Sequence, residues 1–341
     1  MENDLIPVLV LFGPTASGKT NILLELFNSS AGNIDNYSVQ KGEIISADSM
    51  QVYRGMDIGT AKPSKEERQK LPHHLIDIRD PCEQFNAGDF VRLAETACAE
   101  IASRGNLPVV SGGTGFYLKN FILGLSEAPP SDKAIREKLK IEIKEKGAAA
   151  LMDELASCDP VSAKRIHIND EYRILRAVEV FRTCGKPLSS FKIDSQEQNA
   201  INKESCEASR SNFRFIIIGL SRPRDELYSR INQRCEEMFK AGLAGEVRAL
   251  FEKGYTPDDP GLRAIGYREF FVNETDDTGA VKWRLSQDSG GVKAMIAQNS
   301  RRYAKRQITF FSGIPNVQWI DSGGREIIKK IKEIIAKNKS G

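Results

Sequence analysis

The chain is poor in the residues that build metal centres and disulfide frameworks. Its three histidines, His73, His74 and His167, form no triad or metal spacing, and its six cysteines contain no C-x-x-C pair. A structural zinc site and a stapled secreted fold are therefore not expected, and free thiols in a reducing compartment fit best. No apolar stretch approaches the length of a membrane span, and Met1 to Asp4 lead straight into a first strand, leaving no room for a signal peptide. A cytoplasmic protein with no membrane partner is expected. Charge of one sign is also missing: 49 Lys and Arg face 46 Asp and Glu, and a net +3 alone announces no nucleic-acid partner. Any such partner must be read from local clusters. With 40% hydrophobic and 28% charged residues, large-scale disorder is not expected. The length of 341 residues exceeds one typical core and points to about two domains.

What is present begins at Gly13. Gly13-Pro14-Thr15-Ala16-Ser17-Gly18-Lys19-Thr20 is a complete G-x-x-x-x-G-K-[ST] phosphate loop, preceded by the apolar run Leu5 to Phe12. A strand feeding a glycine turn that opens a helix aims backbone N–H groups at one point, and the helix dipole adds positive charge there. Lys19 would reach the outer phosphates and Thr20 would offer its hydroxyl to Mg²⁺. The motif implies a polyphosphate ligand without saying which.

The pattern predicts a helix over Asn21 to Phe27, a strand over Glu43 to Ala47, a short strand at Leu75 to Ile78 and a helix from an Asn86 cap to Arg104, ended by Gly105. A fourth strand, Leu107 to Ser111, precedes Gly112-Gly113-Thr114-Gly115. Alternation of strands and helices predicts an α/β fold: a mostly parallel sheet of the phosphate-loop type, with ligands at the carboxyl ends of its strands. Past Pro129-Pro130 the character changes. From Ser131, read as an N-cap, to about Gly185 the pattern is helical, including Glu171 to Arg182, and Lys192 to Asn212 reads as a polar linker. Phe213 to Leu220 returns as a strand, followed by helices from Pro223 through Lys253 and over Val292 to Thr309. A strand near Val317 to Ile320 and a lysine-rich helix complete the chain. The expected division is a core of 1–130 and 213–341 with a helical insertion at 131–212.

Asp48 follows the second strand, where an acidic residue could hold Mg²⁺ through water or act as a general base, against the plainer reading of a bare surface aspartate. Thr114 lies in a close-approach glycine loop, so its hydroxyl could meet a ligand oxygen, although a ligand-free turn uses the same glycines. Arg230 and Arg234 share a helix face and could grip a polyanion, against the commoner reading of solvated surface arginines. Two stretches, Arg301-Arg302-Tyr303-Ala304-Lys305-Arg306 and Arg263-Ala264-Ile265-Gly266-Tyr267-Arg268, interleave cations with aromatics, a mixture suited to an RNA backbone and an unstacked base.

Taken together, the motifs resemble those of the tRNA dimethylallyltransferase family, also called tRNA isopentenyltransferase. The resemblance rests on Gly13 to Thr20, Asp48 to Pro63, Pro72 to Asp77, Gly112 to Tyr117, Asp170 to Arg176, Arg263 to Arg268 and Tyr303 to Gln307, almost the whole chain. It implies transfer of a dimethylallyl group from dimethylallyl diphosphate to the exocyclic amine of the adenosine 3′ to the anticodon in tRNA, with release of diphosphate. By the same resemblance the loop Gly13, Thr15, Ala16, Ser17, Gly18, Lys19 and Thr20 cradles the diphosphate, with Mg²⁺ on Thr20. Asp48, Thr114 and Arg234 are then catalytic, Asp48 as the base. Contacts to tRNA map to Asp48, Ser49, Met50, Gln51, Thr114, Arg136, Tyr172, Arg173, Ile174, Leu175, Arg176, Arg263, Ala264, Ile265, Gly266, Tyr267 and Arg268. The insertion becomes a clamp on the anticodon arm, and a monomer is expected. Two residues depart from the family pattern: Phe310 stands where tryptophan is common, and Ser312 where arginine often stands. The zinc finger of eukaryotic relatives is missing, which implies a bacterial-type enzyme whose metal is Mg²⁺.

Four rivals share part of this pattern. An adenylate isopentenyltransferase has the loop and the base but no use for the insertion or the Arg263 to Arg268 motif. A small-molecule kinase leaves both basic motifs without a purpose, and a G-protein switch lacks its Asn-Lys-x-Asp signature. A non-enzymatic RNA-binding protein leaves Lys19, Thr20 and Asp48 unexplained.

Overall fold

The computed structural model describes residues 5–28, 41–191, 208–210, 212–275 and 281–338. The chain forms two compact units, one made of Met1–Leu123 with Glu204–Gly341 and the other of Gly124–Lys203.

The first half of the larger unit contains β1 (Ile6–Phe12), α1 (Lys19–Asn28), β2 (Gly42–Ser46), α2 (Lys65–Lys70), β3 (His73–His74), α3 (Ala87–Ser103), β4 (Leu107–Gly112) and α4 (Gly115–Leu123). The smaller unit holds α5 (Lys133–Cys158), α6 (Pro160–Ala163) and α7 (Glu171–Cys184). The chain then returns as β5 (Ala208–Arg210), β6 (Phe213–Ser221), α8 (Arg224–Lys240), α9 (Leu243–Glu252), β7 (Phe271–Thr275), β8 (Val281–Leu285), α10 (Ser289–Phe311), β9 (Gln318–Asp321) and α11 (Ile327–Lys337). The strand order is β3-β2-β4-β1-β6, with β9 parallel and β5 antiparallel along the far edge of β6. The expected mostly parallel sheet therefore forms. Its strands are apolar runs because both faces are covered. Val8, Val10 and Phe12 of β1 face α3 and α4, whereas Leu9 and Leu11 face Ile22, Leu23 and Leu26 of α1 and Ile327, Ile331 and Ile335 of α11.

Several local expectations change. Leu75 to Ile78 is not a strand: Leu75 and Asp77 have φ of 62° and 57°, which breaks extension, and the pairing with Ile44 and Ile45 falls to His73 and His74. Asp77 turns its carboxylate to Lys62 and Arg68. The helix after Ser131 is capped by Asp132, whose Oδ1 accepts from the N–H groups of Ala134 and Ile135. Ser131 instead donates its hydroxyl to Glu179 at 2.6 Å. Pro223, with ψ 138°, precedes its helix rather than opening it. Helix α2 buries no side chain and rests on a Ser64–Glu67 capping box, so no apolar period announced it. The expected linker Lys192 to Asn212 lies outside the described residues except 208–210 and 212, and Ala208–Arg210 pair with β6.

In the smaller unit, α5 breaks at Gly147 (φ 80°), and Leu139, Leu151 and Leu155 pack on Ile174, Leu175 and Val178 of α7. Among the described residues no helix is long and apolar enough to cross a membrane.

Glu43 ties β2 to the end of α3. Its buried carboxylate accepts from Arg104 Nη2 at 2.8 Å and Asn106 Nδ2 at 2.7 Å, and His74 Nε2 lies 2.7 Å away. Burial pushes its pKa upward, but hydrogen bonds from Arg104, Asn106 and His74 outweigh burial and lower it from 4.5 to about 2. Because the folded value is depressed, this contribution is complete above pH 4.5 and is lost as pH falls toward about 2. We expect Glu43→Gln to cost about 1–3 kcal/mol at neutral pH. Its unfolding free energy should also fall less steeply over that acid range, as denaturant titrations at successive pH values would measure.

Candidate active site

The phosphate loop joins β1 to α1 and holds Ala16 and Gly18 at positive φ, 64° and 93°. Gly18 adopts this at no steric cost, whereas Ala16 needs support. Arg230 on α8 supplies it by donating Nε to the Ala16 carbonyl at 2.9 Å. Lys19 Nζ donates to the carbonyls of Gly13 (2.9 Å) and Pro14 (3.1 Å), which leaves one of its three donors uncommitted. Ser17 is buried, and its hydroxyl has no hydrogen-bond partner among the described residues. Thr20 is exposed at the first turn of α1.

Two further segments leave adjacent parallel strands on the same side. Asp48 follows β2, and its Oδ1 accepts from the N–H groups of Met50 (2.9 Å) and Gln51 (3.3 Å). Its Oδ2 makes no hydrogen bond among the described residues. Thr114 follows β4, its N–H donates to the Ala47 carbonyl at 3.1 Å, and its Oγ1 accepts from Ser49 N–H at 2.9 Å. The contact of β4 with β2 is so close that a Cβ on Gly112 would strike the Ala47 backbone. Only glycine fits there.

A cavity of about 370 Å³ joins these parts. Thr15, Ala16, Gly18, Lys19 and Thr20 line it together with Asp48, Gln51, Gly113, Arg230 and Arg234. Gly13, Ser17 and Thr114 are not among its lining residues, and the half-buried Thr114 hydroxyl helps hold the Asp48 turn through Ser49. Gln307 was not among the expected site residues, yet its Oε1 accepts from Thr15 N–H (2.9 Å) and its Nε2 donates to the Gly113 carbonyl (2.7 Å). It bridges the phosphate loop and the glycine loop from α10. The sequence signal was its place in the Tyr303 to Gln307 motif, which carried no role of its own.

Charge in this cavity is strained. Burial, and after it the nearby Arg234, lower the Lys19 pKa from 10.5 to about 8 against the opposing pull of Asp48. Burial also lowers Arg234, with Asp48 and Glu237 opposing. Such a site favours an anion that would restore both cations. Burial, with Asp48 close by, raises Tyr303 to about 12 and keeps it a neutral donor.

The expected RNA-facing residues divide by exposure. Arg263 and Arg268 are exposed, but Ala264, Gly266 and Tyr267 are buried and Ile265 is half-buried. Tyr267 is therefore no stacking surface: its hydroxyl donates to Glu246 at 2.6 Å in the core. On α7, the side chains of Ile174 and Leu175 belong to the smaller unit's core, whereas Tyr172 is 68% exposed with Arg136 4.9 Å over its ring. Arg136 and Arg176 both pair with the buried Glu179, and Arg173 pairs with Asp170. Phe310 packs on Gly115 and stays 38% exposed, while Phe311 is core.

The family model for IPP transferase matches residues 51–313. The chain belongs to the IPP transferase family. The tRNA dimethylallyltransferase of Geobacter sulfurreducens is 42% identical over 314 residues, 92% of this chain and 91% of that one. The tRNA dimethylallyltransferase of Geobacillus kaustophilus is 40% identical over 329 residues, 96% and 94% of the two chains. The crystal structure of the full-length tRNA isopentenylpyrophosphate transferase from Bacillus halodurans matches with a TM-score of 0.63 at 36% identity, over 98% of both chains. The resemblance read from the motifs is borne out, and the prenyltransferase class follows for this IPP transferase.

The Lys19 value sets a pH dependence. Binding a diphosphate favours the protonated ammonium, so affinity for inorganic diphosphate should fall as pH rises through about 8, by at most tenfold per unit. Lys19→Met should weaken binding by about tenfold or more and lose that component, as calorimetric titration at pH 7 to 9.5 would measure.

Proposed function

We propose that this chain transfers a dimethylallyl group from dimethylallyl diphosphate to the exocyclic N6 amine of the adenosine 3′-adjacent to the anticodon in tRNA, releasing diphosphate. The observation that supports the reading is that one cavity is lined by both the phosphate loop and a carboxylate, with Lys19, Thr20 and Arg234 in the same lining as Asp48. The relatives named above supply the substrate class.

The reaction breaks the bond from the allylic carbon to the bridging oxygen and forms a bond from that carbon to N6. The diphosphate leaves with the electron pair, and its growing charge is met by Lys19, Arg230, Arg234 and the loop N–H groups. The adenine amine is a weak nucleophile because its lone pair is delocalised into the ring. Asp48 takes its proton through Oδ2, the oxygen not committed to the turn. Thr114 and Ser49 hold that turn, so Thr114 serves catalysis by aiming Asp48.

The donor set fits magnesium. Among the described residues no three metal-ligating side chains cluster, yet the Thr20 hydroxyl and the Asp48 carboxylate line one cavity, which suits an ion held mainly by substrate oxygens and water. Thr20 would hold it, directly or through water with Asp48, and it would offset charge on the leaving diphosphate.

Inside a stacked anticodon loop the target base must be flipped out, at a cost of a few kcal/mol offset by contacts elsewhere. Exposed Arg263 and Arg268 and the Arg136–Tyr172 pair supply such contacts, the latter in the helical insertion that grips the anticodon arm. The chain acts as a monomer.

Labelled dimethylallyl diphosphate offered with unmodified tRNA or with AMP tests the reading, and label entering only AMP overturns it. Asp48→Asn keeps the Oδ1 acceptor of the turn, so it should bind diphosphate within a few-fold of wild type while turnover falls by about 10²–10⁴. Turnover within a few-fold of wild type would remove Asp48 as the base.

A further inference from the structure

Glu246, in the first turn of α9, does not line the cavity, yet its carboxylate carries a dense set of bonds. Oε2 accepts from the N–H groups of Asp57 (2.9 Å) and Ile58 (2.8 Å), and Oε1 accepts from Gly59 N–H (3.1 Å) and the Tyr267 hydroxyl (2.6 Å). No ion pair is among its contacts with the described residues. Three successive backbone N–H groups converging on one anion form a nest, here filled by the protein's own carboxylate.

The nest sets the course of residues 56–62. Ala61 N–H donates to the Ile58 carbonyl at 3.0 Å, Lys62 N–H donates to the Asp57 carbonyl at 2.9 Å, and the Thr60 hydroxyl donates to the Met56 carbonyl at 2.6 Å. Gly59 must be glycine, because a Cβ there would strike the Tyr267 ring. The far end is pinned by Lys62, whose Nζ donates to the Tyr53 carbonyl and pairs with Asp57 and Asp77. What this loop presents to the cavity is carbonyl oxygen. Thr60 O accepts from Gln51 Nε2 at 3.4 Å and from Arg234 Nη2 at 3.5 Å. The latter is the one hydrogen bond that Arg234 makes among the described residues.

We infer that Glu246 is a positioning residue for the diphosphate cleft: by filling the nest of Asp57 to Gly59 it fixes the Thr60 carbonyl that aims Arg234. A half-buried guanidinium with one weak protein bond depends on that carbonyl for its direction. Through Tyr267, the same carboxylate ties the Arg263 to Arg268 segment to the cleft. The inference rests on reading the cavity as a diphosphate site.

Calorimetric titration of the full chain with inorganic diphosphate and Mg²⁺ tests it in wild type, Glu246→Gln, Arg234→Ala and the double variant. Glutamine keeps the volume but exchanges one acceptor for an amide donor that faces backbone donors. Glu246→Gln should weaken diphosphate binding by about tenfold in folded protein, whereas in the Arg234→Ala background it should add less than about twofold. A purely stabilising role would lower the melting temperature and leave that affinity alone, so unchanged affinity in folded Glu246→Gln overturns the inference. So do effects of the two substitutions that multiply. If Glu246→Gln does not fold, Tyr267→Phe keeps the ring and removes one of the four donors. It should weaken binding about two- to threefold in the wild-type but not the Arg234→Ala background, and equal effects in both backgrounds overturn the inference. A wild-type chain that binds diphosphate but transfers no prenyl group refutes the proposed function and leaves this result standing.

Discussion

Two cations crowded beside one carboxylate organise this molecule. Arg234 disfavours the charge on Lys19, both are penalised by burial, and Asp48 opposes that penalty at each. Such an arrangement persists only where the surrounding structure enforces it, and it is complementary to an anion carrying more than one negative charge. Helix α1 adds the positive end of its dipole at the same place.

Enforcement comes from parts of the chain far apart in sequence. Arg230 holds the strained Ala16 from α8, Gln307 bridges the phosphate and glycine loops from α10, and Glu246 braces residues 57–59 from α9. On the sheet side, the contact of Gly112 with Ala47 lets Thr114 reach the turn that directs Asp48. The second half of the chain thus supplies little of the apparent motif chemistry and much of its geometry. Preorganisation of this kind lets fixed groups meet developing charge without reorganising at the moment of reaction.

Much of the larger unit was legible because its signals are local. A buried apolar strand before a glycine turn, Asn86 as a cap and Gly105 after a helix each act within a few residues. The two turns at Leu75 and Asp77 and the capped but coreless α2 carry no apolar period, so nothing in the pattern marked them. The same limit governed the RNA-facing motifs. Arginine and tyrosine alternating along Arg263 to Arg268 read as one mixed surface, but the chain turns there so that Tyr267 enters the core and the two arginines remain in water.

By itself, the sequence determined the chemistry: a phosphate loop, a carboxylate beside it, a mostly parallel sheet and the family to which they belong. Residue types and short spacings encode these, because loop, strand and helix signals are set by neighbours along the chain. Tertiary structure decided which of those groups face one cavity and which are spent on support. Thr114 came to hold Ser49, Gln307 and Arg230 came to the phosphate loop, and Glu246 came to residues 57–59. No local pattern encodes such assignments, since a side chain's partner is chosen by packing among segments that meet only when the sheet and its helices close.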